Sequence, residues 1–197
     1  MFGAAARRER RLIRLQERAD AGAARARALA RAGRTEDALA PSREAVDLLS
    51  QLRELEPDEE EHLDRLATAL YEHAGMLARA GRSSEAILAA RRCLDCHLEQ
   101  TGGEIAPPEL LGLEPPHHRR ADLPELAAGT ADARSRLASL LARSGDAAVA
   151  GEARRLGREA VETYELLVRL DADHYQDDHT RVLAAFLAIC RRTAGED

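Results

Sequence analysis

The six residues 29–34, LARAGR, recur unchanged at residues 77–82. A close copy, LARSGD, occupies residues 141–146, and a weaker one, RRTAGE, occupies residues 191–196. In each copy the Gly follows a stretch typical of a helix, and Gly readily adopts the left-handed backbone conformation that ends helices. The recurring segment therefore predicts recurring helix ends, which indicate an internal structural repeat.

The residues before each Gly keep a constant spacing. A Leu lies four positions before the Gly in the first three copies, and a small residue lies seven positions before it in all four. Positions three and four residues apart share one face of a helix, so the spacing predicts a small-residue face where helices cross. The small residues are Ala26, Ala74, Ala138 and Ala188.

The residues after each Gly predict a second helix. Ala38 and Ala45 follow the first Gly by five and twelve residues, and Ala86 and Cys93 follow the second at the same distances. In the third copy, three extra residues separate the Gly from the matching Ala160. Each copy is therefore predicted to be a pair of helices that bury small residues against each other.

The element boundaries follow from the apolar periodicity and from local start signals. Thr35 and Ser83 are predicted N-caps, and Asp58 with Glu61 and Asp173 with Gln176 have the spacing of capping boxes. Residues 101–121, rich in Gly and Pro, are predicted to be a long loop, and no strand is predicted. The expected helices are 4–20, which either caps the array or continues into 21–32, then 36–55, 59–80, 84–100, 122–143, 150–171 and 177–193.

The spacing of small residue, Leu, Gly and Ala resembles the tetratricopeptide repeat, closely over about residues 22–100 and more loosely over 128–197. The Gly-to-Gly spacings of 48, 64 and 50 residues exceed the roughly 34 of the family, and the long helices resemble the extended repeats of actinobacterial regulatory and signalling proteins. The resemblance implies an all-α fold of antiparallel helix pairs, stacked as a short right-handed superhelical array of about 7–8 helices.

We expect one helical-repeat domain over residues 1–197. Its expected parts are an Arg-rich N-terminal helix at 1–20, two repeats at 21–100, the loop at 101–121, and a third repeat with a closing helix at 122–197.

The composition limits the class of protein. Aromatic residues make up 3% of the chain and Trp is absent, so the apolar volume comes from Leu and Ala, which favour helices over strands. There is no apolar run of about 18 residues that could cross a bilayer and no secretory signal, which predicts a cytoplasmic protein without a membrane partner. All 29 Lys/Arg positions are Arg, as in proteins of GC-rich bacteria.

The resemblance implies that the first helix of each pair lines a concave, partner-binding groove. Arg31, Arg79 and Arg143 hold equivalent places in successive copies, and such a row of guanidiniums could bind the carboxylates of an acidic protein or peptide. The alternative is that each Arg only offsets the dipole at a helix C-terminus. The predicted groove residues are Arg27, Arg31, Tyr71, Arg79, Ser135, Ser139 and Arg143.

Residues 93–97, CLDCH, spell the c-type haem attachment motif, although no export signal accompanies it. A zinc site is a second reading, with Cys93, Cys96 and His97 joined by His117 or His118, because zinc is held by four such ligands. The alternative is that Cys93 fills the small buried position that Ala45 fills in the first copy. An odd number of Cys argues against a disulfide framework.

No phosphate-binding loop, nucleophile elbow or zincin helix is found, and we expect no enzyme. The first hypothesis is a non-catalytic scaffold that binds a peptide or protein. The alternatives are a metal- or redox-responsive regulator using Cys93, Cys96 and Cys190, and nucleic-acid binding through residues 7–18, since residues 1–34 carry ten Arg against three acids. Self-association as a homo-oligomer through the apolar residues of the last helix is a further possibility.

Overall fold

The computed structural model describes residues 2–103 and 123–194, with side chains from residue 6 onward. Over these residues the protein is all-α, as predicted, with seven α-helices and no strand. The helices are α1 (Phe2–Arg31), α2 (Thr35–Leu55), α3 (Glu60–Arg79), α4 (Ser83–Thr101), α5 (Leu123–Ser144), α6 (Ala150–Leu170) and α7 (Ala172–Ala194). The predicted loop at 101–121, with His117 and His118, and the fourth Gly, Gly195, lie almost entirely outside the described residues.

The Arg-rich segment continues without a break into the next predicted helix, so that α1 spans 30 residues. No helix within 2–103 or 123–194 is long and apolar enough to cross a membrane.

Three of the repeated glycines end their helices as predicted. Gly33, Gly81 and Gly145 have φ values of 76°, 75° and 72°, in the left-handed region that favours Gly. After α1, the N–H of Arg34 donates to the carbonyl of Leu29, and after α3 the N–H of Arg82 donates to that of Leu77, at 3.0 and 2.9 Å. These bonds satisfy carbonyls that the helix end would otherwise leave without a donor.

The predicted starts of the second helices were wrong. Thr35 and Ser83 are the first helical residues rather than the N-caps, and α2 is preceded by Arg34, which makes no side-chain capping bond. Instead, each preceding Arg pairs with an acid three residues on. Arg34 Nε lies 2.8 Å from Asp37 Oδ2, and Arg82 Nε lies 2.6 Å from Glu85 Oε1. The pairs hold an acid in the first turn, where the helix dipole favours it.

Both predicted capping boxes were also wrong. The N-cap of α3 is Glu59 rather than Asp58, and it makes no side-chain capping bond. Helix α7 begins at residue 172 instead of 177. Its capping carboxylate belongs to Asp171, whose Oδ1 accepts from the N–H of His174 at 3.1 Å. Several adjacent acids could each serve as the cap, and the preceding helix end determines which one does.

The small residues predicted at the helix crossings are buried. In the first helices of the pairs, Ala26, Ala74 and Ala138 are almost fully excluded from solvent, whereas Ala188 of the weak fourth copy is exposed. The equally buried residues of the second helices are Ala38, Ala45, Ala86, Cys93, Ala153 and Ala160. The three extra residues of the third copy form a 3₁₀ turn at Ala147–Val149, capped by Asp146.

The chain folds as two compact units, Met1–Cys96 and His97–Asp197. In unit 1, helices of successive pairs are joined by polar contacts between residues 42 or 45 positions apart. Arg27 and Arg65 join α1 to α3, through Glu72 and Asp20 respectively. Arg43 and Arg92 join α2 to α4, through Glu85 and Ser50. First helix therefore meets first helix and second meets second, as in a helical repeat array.

Unit 2 contains the last turn of α4 and the three helices α5–α7. Tyr164 of α6 is buried in its core, and its hydroxyl donates to Asp132 Oδ1 of α5 at 2.9 Å. Burial raises the pKa of Tyr164, and the neighbouring Asp132 carboxylate raises it further. The phenol therefore stays protonated and acts as the hydrogen-bond donor. Arg181 of α7 donates to the same carboxylate oxygen at 2.9 Å, which joins all three helices.

Candidate partner-binding surfaces

All three residues of the predicted Arg row are exposed. Arg31 and Arg79 lie near the C-terminal ends of α1 and α3 in unit 1, and Arg143 has the same place on α5 in unit 2. Within the described chain, none of the three guanidiniums has an ion-pair partner. Their position near helix C-termini also fits the alternative explanation, in which a cation offsets the helix dipole.

The other predicted groove residues are less accessible. Arg27 Nη1 lies 3.2 Å from Glu72 Oε2, so its charge is used to join α1 to α3. Tyr71 and Ser139 are half-buried. Ser135 is only 7% exposed, so little of its side chain could meet a ligand. Among the groove residues predicted in unit 1, Arg31 and Arg79 are thus the ones that present charge to solvent without an internal partner.

Two adjoining cavities lie along α2 in unit 1. One has a volume of about 520 Å³ and runs along α2 from Glu36 to Gln51. The other, about 230 Å³, lies among α2, α3 and α4. Arg43 and Asp47 line both cavities, so the two form one surface depression, which we call the α2 groove.

The floor of the α2 groove is apolar and its rim is charged. Leu39 and Leu48 form the floor of the larger cavity, and Leu70 and Leu77 that of the smaller one. Arg43 Nη2 and Glu85 Oε2 face each other across the rim at 3.2 Å, as do Arg18 Nη2 and Glu44 Oε1 at 2.7 Å. The rim carries Arg18, Arg43, Arg82 and Arg92 together with Glu36, Glu44, Asp47 and Glu85.

Leu88 stands at the edge of the smaller cavity and is 63% exposed. It is the most exposed large apolar residue among those described. The exposed Leu88 therefore lies beside the apolar floor and inside the mixed-charge rim of the α2 groove.

His73 lines the smaller cavity from α3 and is itself buried. Its Nδ1 is 3.0 Å from Ser42 Oγ of α2. Burial lowers the pKa of His73, and the nearby Arg43 and Arg82 lower it further, against the opposite effect of Glu85 and Asp47. The imidazole therefore lies neutral beneath the groove at physiological pH.

The CxxCH segment lies in α4, where both of its cysteines are buried. Cys93 Sγ donates to the carbonyl oxygen of Ala67 at 3.3 Å, which ties α4 to α3. His97 Nδ1 is 3.1 Å from Gln100 Oε1. Within the described ranges, no cluster of three His, Cys, Asp or Glu side chains is arranged to hold a metal ion. His117, the fourth predicted ligand, lies outside those ranges.

The Arg-rich start of α1 is partly used inside unit 1. Arg8 Nη2 donates to the carbonyl oxygen of Leu55 at 2.9 Å, and Arg18 pairs with Glu44. Arg7, Arg10, Arg11 and Arg14 are exposed. Two of the six Arg at residues 7–18 therefore fasten α1 to α2, which reduces the charge available to a polyanion.

Sequence reasoning placed the groove on the first helices and missed the depression along α2. The signal that could have located it is Leu88. It occupies the place of Ala40 in the preceding repeat, seven residues after the Gly, and it lies off the buried face marked by Ala86 and Cys93. A single exposed apolar side chain is common on protein surfaces, so this signal gains meaning only from the apolar floor beside it.

No protein-family model matches the chain, and no characterised protein shows significant sequence similarity to it.

Proposed function

We propose that the protein is a non-catalytic, cytoplasmic interaction scaffold of the tetratricopeptide type that binds a peptide segment of a partner protein in the α2 groove. The observation that supports this most directly is the pairing of the apolar floor with the exposed Leu88 inside a rim of both charge signs. Buried floor residues carried on packed helices give a preformed surface, which lowers the entropic cost of binding.

The rim indicates the chemistry of the peptide. Asp47, shared by both cavities, has no ion-pair partner among the described residues, whereas Arg43 already faces Glu85. A peptide that places an apolar side chain on Leu88 would bury Leu88, and a Lys or Arg of the same peptide could form an ion pair with Asp47. The expected ligand is therefore a short amphipathic segment with at least one basic residue.

A second form of the same function uses the first helices. Arg31 and Arg79 are exposed and have no carboxylate partner in the described chain. An acidic segment could bind there, because a guanidinium pairs well with carboxylates. The two forms predict ligands of opposite charge, so one experiment separates them.

The test is selection of peptides from a displayed random library on the purified protein, followed by binding measurements on three variants. Leu88→Asp removes the apolar edge of the α2 groove, and Ile13→Asp is its matched control, since Ile13 is a 50% exposed apolar residue on α1. The third variant combines Arg31→Glu and Arg79→Glu. Circular dichroism confirms that each variant is folded.

Binding in the α2 groove requires that selected peptides lose at least about tenfold in affinity with Leu88→Asp, the order expected for one buried Leu contact, and keep it with Ile13→Asp. Loss only with the double Arg variant would move the site to the first helices. If no library peptide is enriched, or if both Leu88→Asp and the Arg variant bind normally, the peptide-scaffold proposal is wrong.

A further inference from the structure

The last helix, α7, buries one narrow stripe and leaves a second apolar stripe open. Tyr175, Val182 and Ile189, seven residues apart, pack into unit 2. Leu183 and Leu187 on the neighbouring stripe are 36% and 53% exposed. They belong to a row with alternating spacings of four and three residues, which we call the α7 seam. It consists of Gln176, Thr180, Leu183, Leu187, Cys190 and Ala194.

The equivalent positions are buried on two of the preceding first helices, α3 and α5, and exposed on α1. Counted back from the Gly of each copy, Leu187 of α7 corresponds to His73 of α3 and to Leu137 of α5, and both of these are buried. Leu183 corresponds in the same way to Ala69 and Ala133, which are also buried. Helix α7 thus carries its largest seam residues at positions that are buried on α3 and α5.

The 4–3 spacing suits a second helix packed side by side, because residues repeating every 3.5 positions stay on one face of a supercoiled pair. The six seam positions are also symmetric about residue 185. If a copy of α7 runs antiparallel about this centre, Leu183 of each copy meets Leu187 of the other. Thr180 then meets Cys190.

The charges on α7 favour this direction. Asp177 and Arg191 lie on the same edge of the seam, because fourteen residues are close to four helical turns. Both side chains are exposed, and within the described residues neither has an ion-pair partner. Antiparallel packing brings Asp177 of each copy within a turn of Arg191 of the other. Parallel packing would instead leave Asp177 of each copy about 21 Å along the axis from Arg191 of the other, because fourteen residues separate them.

We propose that the α7 seam is a self-association surface on which a second copy of this chain packs its own α7 antiparallel. The interface is isologous, since the same patch serves both copies. It lies in unit 2 and is independent of the peptide-binding role proposed for unit 1.

Its first test is sedimentation velocity over a concentration series. The unmodified protein should show a monomer–dimer equilibrium, and Leu187→Glu should weaken association more than about tenfold, because each copy loses a buried Leu contact. Ile13→Glu is the matched control and should associate normally. A protein that stays monomeric at every concentration, or equal association of all three, would overturn the proposal.

The second test fixes the direction. With Thr180→Cys, mild oxidation by copper phenanthroline should give a disulfide-linked dimer on a non-reducing gel, because the introduced thiol would face Cys190 of the second copy. Adding Cys190→Ala should abolish the link. The unmodified protein should not crosslink, since antiparallel packing keeps the two Cys190 residues about 15 Å apart along the axis, beyond disulfide reach. Crosslinking of the unmodified protein through Cys190 would show a parallel pair and contradict the proposal.

Discussion

Gly157 shows how one residue sets the distance between α6 and α7. A Cβ added there would lie 2.8 Å from Cδ2 of Phe186 and 3.4 Å from Cδ1 of Ile189. The first distance is well inside van der Waals contact, so a side chain would force the ring or the helix to move. The close packing of the two helices therefore depends on the absence of a side chain at this position.

We expect Gly157→Ala to lower the free energy of unfolding by about 1 kcal/mol, because overpacking outweighs the better helix propensity of Ala. Gly151, in the first turn of the same helix, is the matched control, since an added Cβ meets nothing within 4 Å. Gly151→Ala should raise stability by up to about 1 kcal/mol. Urea denaturation measures both, and a stabilised Gly157→Ala would show that the contact is not tight in solution.

His73 links the stability of unit 1 to pH. Its pKa in the folded protein is lowered, first by burial and then by Arg43 and Arg82, so the unfolded chain takes up a proton at a higher pH than the folded one. The stability that the neutral imidazole provides is therefore complete above about pH 6.5, the ordinary pKa of His. It is lost as the pH falls from there toward the lowered pKa.

Replacing His73 by Gln removes the titration and keeps a group that can bond to Ser42. We expect the free energy of unfolding of the unmodified protein to decline more steeply than that of His73→Gln below about pH 6.5, by at most about 1.4 kcal/mol per pH unit. Chemical denaturation at a series of pH values measures the difference. Parallel curves for the two proteins would mean that His73 does not couple folding to protonation.

At the scale of the element, the Ala that lies seven positions before each repeated Gly is buried in one helix and exposed in another. Ala138 of α5 is fully buried, while Ala188 of α7, at the same place before its Gly, is exposed. We expect Ala138→Leu to cost about 1–3 kcal/mol through overpacking and Ala188→Leu to change stability by less than about 0.5 kcal/mol. Thermal unfolding compares them, and similar melting temperatures for the two variants would refute the helix crossing at Ala138.

Helix ends were predictable from the sequence because Gly acts through its own backbone. Gly33 and Gly81 need only the left-handed conformation, which is a local property. Helix starts were not predictable from the sequence. Asp171 and Asp173 are both competent caps, and the end of the preceding helix selects between them. The pairing of Arg34 with Asp37 is likewise formed by side chains that a capping rule does not consider.

At the scale of the whole molecule, periodicity predicted the buried faces but not the groove. The spacing of Ala38 and Ala45 predicts which side of α2 faces the core, and both residues are buried in the structure. Whether an exposed side forms a depression depends on how α2 packs against α1, α3 and α4, which spacing along one helix does not encode. The α2 groove therefore became visible only in three dimensions, whereas the sequence had already indicated an apolar surface on the last helix.

The two units each bury their own apolar residues, and this predicts where a local defect is felt. Ala138 belongs to unit 2, so Ala138→Leu should weaken amide protection in α5, α6 and α7 more than in α1, α2 and α3, because helical arrays are stabilised by neighbouring contacts and open in separate cooperative segments. Hydrogen exchange followed by mass spectrometry resolves the two sets of helices, with Ala188→Leu as the control that leaves both unchanged. An equal loss of protection across both units would show that the chain opens as a single cooperative body, and would assign its stability to the array as a whole.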